Sequence, residues 1–160
     1  MQTKITLGYL GFLPFAALTI LPWILGVTYE EISFQLLVVY GGIIVSFLSG
    51  IVWGIDSTNQ KNLVLAIVFS LLGFVAILLA WINLIYAMTL LFFLFFLFYL
   101  LESKINPQFT DPEYMKLRKN LTSGVCGCYM FSIVILIYYC LLYTSPSPRD
   151  YAASRMPSSA

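Results

Sequence analysis

From Leu63 to Leu101 the chain runs for 39 residues without an Asp, Glu, Lys, Arg or His. As one helix rising ~1.5 Å per residue, that block would reach ~58 Å, about twice the hydrocarbon thickness of a bilayer. It must therefore fold back on itself. The break is expected near Ala80-Trp81-Ile82-Asn83, because Trp favours the membrane interface and Asn favours turns. The third and fourth helices then form a tight hairpin. Three further apolar blocks, Ile5–Gly26, Ile32–Ile55 and Leu121–Tyr139, are each long enough for one crossing of roughly 20 residues. The expected fold is an all-α membrane protein, a bundle of five transmembrane helices in one domain over residues 1–139. The spans fall at about 5–26, 32–55, 63–80, 84–101 and 121–139.

Composition agrees with lipid as the solvent. Only 9% of residues are charged and the mean hydropathy is +0.93, whereas a soluble domain carries about 25% charged residues. A net charge of +1 gives no basis for nucleic-acid binding. The first block is longer than the ~7–15 residue apolar core of a signal peptide and has no small-x-small site after it, so it reads as a retained span.

Charge placement tests the span count. Ahead of the C-terminal tail the cationic residues are Lys4, Lys61, Lys104, Lys116, Arg118 and Lys119. With five spans all six fall on one side, and the opposite loops, 27–31 and the Trp81 turn, carry none. A single span through the long block would split them two against four. The positive-inside rule then puts the N-terminus in the cytoplasm and the C-terminus outside, in a bacterial inner membrane. In a mitochondrial inner membrane the N-terminus would lie in the matrix.

Chemistry is sparse. There is no His, the commonest general base and metal ligand. None of the expected spans contains an ionisable residue, which argues against a proton-coupled transporter. Cys126-Gly127-Cys128 sits in an apolar span without further ligands, and its two thiols point about 200° apart on a helix. They read as small packing residues. No catalytic, cofactor-binding or metal-ligating set emerges, so no cofactor is expected. Pro14 and Pro22 should kink the first span. The Phe-rich run Leu91–Leu100 reads as a lipid-facing and packing surface.

Four features could mediate contacts. Gly42, Ser46, Gly50 and Gly54 recur every four residues on the second span, a spacing that lets helix backbones approach closely. The neighbour could be another helix of the chain, a second copy or a partner subunit. Trp53 and Trp81 are expected interface anchors. Lys116, Arg118 and Lys119 belong to a long loop, Glu102–Asn120, and are expected at lipid headgroups or a partner. Within that loop, Thr110 with Glu113 fits a capping box, and Asp111 before Pro112 fits an N-cap with Pro at N1. Asp56 is a polar group at the end of the second span.

The segments LGYLGFLPF (Leu7–Phe15), YGGIIVSFLSGIVWGI (Tyr40–Ile55), SLLGFVAILLAWI (Ser70–Ile82) and YMKLRKNLT (Tyr114–Thr122), in this order, resemble the DUF3429 family of small bacterial inner-membrane proteins, which has mitochondrial relatives. The matching positions are Gly8, Gly11, Pro14, Tyr40, Gly41, Phe47, Gly50, Trp53, Gly54, Trp81, Leu117, Arg118, Leu121 and Thr122. The family pattern has a polar or basic residue before the Trp-Gly pair, where this chain has Val52. The resemblance implies a fold and a location but no activity.

Three functions compete. The first is a non-enzymatic membrane protein that packs with itself or within a larger complex. The second is a small channel or carrier acting as an oligomer. The third is a lipid-acting membrane enzyme using Asp56 and Arg118. The tail Cys140–Ala160 is read apart from all three. CLLYTSPSPRD is the in-frame translation of a sequencing-library transposon end with its adapter, and SRMPSSA fits the remaining adapter. The tail is therefore set aside as an expected non-biological, disordered segment.

Overall fold

The computed structural model describes residues 2–26, 29–55 and 60–144. All regular structure among them is helical: α1 (Gln2–Leu25), α2 (Glu30–Ile55), α3 (Gln60–Ala80), α4 (Leu84–Ile105) and α5 (Pro112–Thr144), with a 3₁₀ turn at Pro107–Thr110 between the last two. All five helices are long and apolar enough to cross a membrane. The chain is a multi-pass membrane protein, and its lipid-facing surface carries residues such as Leu7, Phe47, Phe74 and Phe93 in the open.

The long apolar block breaks at the turn Trp81–Asn83. Asn83 caps α4: its Oδ1 accepts from the Tyr86 backbone N–H at 3.2 Å, satisfying one of the donors a helix start leaves unpaired. At the other end of α4 the expected boundary is too short. The helix passes Leu101 and ends at Ile105, and α5 already starts at Pro112. The long loop therefore contracts to Asn106–Asp111. Asp111 is the working cap, with Oδ1 accepting from Glu113 N at 3.0 Å. Thr110 does not form the capping box, since its hydroxyl donates back to the Pro107 carbonyl. α5 continues through Cys140 to Thr144, so the first residues of the tail prolong the last helix. Residues 145–160, where the disordered tail was expected, lie outside the described residues.

α2 packs on α1, α3 and α4, and α5 closes the bundle against α1 and α4. Four helices meet at one aromatic cluster. The Phe15 ring (α1) contacts Tyr40 (α2) at 5.0 Å, Phe95 (α4) at 5.7 Å and Tyr129 (α5) at 6.1 Å between centroids. Offset and edge-on pairs of this kind add to burial alone. The two phenols also tie helices together. Tyr40 Oη donates to the Gly11 carbonyl at 2.9 Å, and Tyr129 Oη donates to the Leu37 carbonyl at 3.1 Å. Gly41 makes the second bond sterically feasible, because a Cβ there would overlap the Tyr129 hydroxyl. The Phe-rich run divides as a helix face should: Leu91, Leu94, Phe95 and Phe98 point inward, while Phe93, Phe96, Leu97 and Leu100 face out.

Candidate functional site

The helix extensions bring ionisable groups inside the bundle, contrary to the expectation of spans without them. Glu102 is fully buried on α4. Its Oε2 accepts from Arg118 Nε at 2.8 Å and from Arg118 Nη2, and its Oε1 accepts from Tyr114 Oη at 2.8 Å and Asn106 Nδ2 at 3.3 Å. Asn106 in turn holds the connection, with Oδ1 accepting from Gln108 N at 2.9 Å. The Arg118 guanidinium lies 5.9 Å from the centroid of the Phe98 ring. A carboxylate in an apolar interior needs an ion partner with further hydrogen bonds. Here it has all of them, from α5 and from the C-cap of α4.

Arg118 turns towards Glu102 rather than outward from α5. It is 9% exposed and turned into the bundle, whereas Lys116 and Lys119 on the same helix stay exposed. The cluster has a sequence signal. Glu102 and Asn106 are four apart on one side of a short turn, and Tyr114 and Arg118 are four apart on the other. Four residues is one helical step along a face, so each pair stacks and the two faces meet. Placing Glu102 in a loop hid the pattern.

Beside this cluster lies a cavity of about 390 Å³ between α1, α2, α4 and α5. Its polar end is formed by Tyr114 and Arg118, near the start of α5, and its deep end by Phe15, Ile44 and Phe95. Glycines shape the α1 wall. A Cβ at Gly8 would meet the Leu121 side chain at 3.0 Å, while one at Gly11 would meet nothing within 4 Å. The space at Gly11 is open cavity. Segments Leu7–Phe15, Tyr40–Ile55 and Tyr114–Thr122 supply nearly all of the lining. A family model described as "Protein of unknown function (DUF3429)" matches residues 1–134. The chain belongs to the DUF3429 family. Searches of curated proteins and of solved structures return no match.

In this DUF3429 protein the other sequence candidates scatter. The four-residue row on α2 divides. Gly42 meets Gly73 of α3 backbone to backbone: a Cβ on Gly42 would stand 2.8 Å from the Gly73 carbonyl oxygen and 2.6 Å from Ile77 Cγ1. Ser46 flanks the same contact and donates its hydroxyl to the Gly42 carbonyl at 3.0 Å. Gly50 and Gly54 have open space where a Cβ would be. Trp53 and Trp81 are both exposed, Trp81 on the turn joining α3 and α4. Asp56 lies outside the described residues. Val52 is buried in the apolar core. Cys126 and Cys128 are half-buried free thiols, and Cys126 Sγ lies 3.9 Å from the Phe92 carbonyl.

Proposed function

We propose that this DUF3429 protein is a non-enzymatic component of a membrane assembly, and that the unfilled half of the α2 row receives a helix of a partner or of a second copy. The observation that carries this reading is a cleft of about 270 Å³ between α2 and α3. It is bordered by Ser46, Ser49, Gly50, Trp53, Ala66 and Ser70. In lipid there is no hydrophobic drive between helices, so association relies on close backbone approach and dispersion. Gly50 and Gly54 offer that approach, since among the described residues nothing lies within 4 Å of a Cβ at either. The Glu102–Arg118 pair reads in this proposal as a tie between α4 and α5. The channel reading draws less support, since the centre of the bundle is filled by Phe34, Leu37, Met88 and Leu91.

The test is Gly50→Leu, which fills the cleft. In-membrane crosslinking should show a loss of association with no change in monomer fold. An unchanged crosslinking pattern would remove the reading. Orientation is part of the same proposal. Lys61, Lys104, Lys116 and Lys119 lie at the end of the bundle where α3 begins, α4 ends and α5 begins. This supports a cytoplasmic (or matrix) N-terminus in a bacterial (or mitochondrial) inner membrane. A reporter fused ahead of residue 1 should be active only when its assay reads the cytoplasm; activity on the outer side reverses the assignment.

A further inference from the structure

We propose that the cavity between α1, α2, α4 and α5 is a lipid site that holds one acyl chain of an anionic phospholipid, with the phosphate at Arg118. The cavity is walled by spanning helices, so its apolar interior faces hydrocarbon. Its two ends differ in the way an amphiphile does. Phe15, Ile44 and Phe95 lie deep in the bundle, and Tyr114 and Arg118 lie towards the end where α4 stops and α5 starts. That end is the level at which a headgroup would sit.

The charge pattern favours an anion there. Arg118 carries five N–H donors, and Glu102 takes two of them. No further hydrogen bond of the guanidinium is made among the described residues, and Arg118 also lines the cavity. Its planar fork suits a phosphate oxygen. Glu102 balances the Arg118 charge but leaves these donors in place. Lys104, Lys116 and Lys119 add positive potential at the same end. The room for the chain comes from missing side chains on α1, chiefly at Gly11, where a Cβ would touch nothing.

The experiment reconstitutes the full chain in phosphatidylcholine vesicles containing phosphatidylglycerol with a photoreactive group at the end of one acyl chain. Labelling should concentrate on the deep lining, around Phe15, Ile44 and Phe95. Gly11→Leu, whose Cβ meets nothing within 4 Å, puts its side chain into the cavity and should lower labelling there about tenfold. Ile51→Phe, on the opposite wall, is a second filler should Gly11→Leu misfold. Gly127→Leu is the control, since Gly127 also has open space around it but does not line the cavity; it should label like the wild type. Equal labelling of wild type and folded fillers would overturn the proposal, as would labels spread evenly over the lipid-facing surface. Equal labelling by photoreactive phosphatidylcholine would overturn the assignment of the phosphate end to an anionic lipid. A helix crosslinked through position 11 would replace the lipid with a protein occupant. The cleft at Gly50 lies on another face, so the result does not depend on the association test.

Discussion

Gly42 and Gly54 belong to one four-residue row on α2, yet their surroundings are opposite. Gly42 is buried against the backbone of Gly73 and the side chain of Ile77, and Gly54 has nothing within 4 Å of a Cβ position. The same division recurs on α5. Arg118 is drawn inside to Glu102, while Lys116 and Lys119 remain exposed. On α2 the residue type and spacing are shared and the consequence is not; on α5 the three cations point to different faces of one helix, and only Arg118 faces α4. What separates the members is the element opposite. Gly42 faces a helix that also offers a glycine, and Arg118 faces a helix that offers a buried acid. A periodic pattern marks where contact can occur. The facing residue decides whether it does.

The sharpest way to break the comparison is on α5. Removing one member of a buried, hydrogen-bonded pair leaves the other charge uncompensated, which destabilises by about 3–5 kcal/mol. Arg118→Ala should therefore lower stability by roughly that amount, read as unfolding in a detergent titration. Lys119→Ala, one residue on, should stay within about 0.5 kcal/mol, as expected of an exposed position. Replacing both Glu102 and Arg118 with well-packed apolar residues should recover most of the loss. If Arg118→Ala and Lys119→Ala behave alike, the inward placement of Arg118 is wrong.

Much of this architecture was legible in the sequence. The apolar blocks reported five crossings because bilayer thickness sets helix length, and the break at Trp81–Asn83 was readable because Asn83 is a good cap. The Lys-rich end was visible from charge alone. The ion cluster was not. Hydropathy closed α4 at Leu101 because Glu102 looks costly in lipid, and only its three donors, supplied from residues 4 to 16 positions downstream, make the extra turn stable. The cavity was equally hidden. Gly8 and Gly11 were visible as positions, but the space at Gly11 depends on how α1 leans on α2 and α5, which no local pattern encodes. For the same reason the row on α2 showed a packing face without showing where it would be filled.

A smaller effect tests the α2 comparison itself. Gly42→Ala adds one methyl group where the nearest atoms are a backbone carbonyl at 2.8 Å and Ile77 carbons at 2.6 and 2.7 Å. Ile77 can rotate, but the Gly73 carbonyl belongs to the α3 hydrogen-bond ladder and moves only with its helix. Overpacking of this kind destabilises by about 1–3 kcal/mol. Gly54→Ala adds the same methyl group to open space. It gains part of the helix propensity by which Ala exceeds Gly, about 0.8–1.0 kcal/mol in a helix interior and less here, one residue from the end of α2. The monomer should be unchanged or slightly stabilised. Identical chemistry at two positions of one row thus predicts opposite signs, measured by the same unfolding titration. A loss at Gly54 comparable to that at Gly42 would mean that the open half of the row is already occupied in the folded state, and the proposed docking face would have to be sought elsewhere on the bundle.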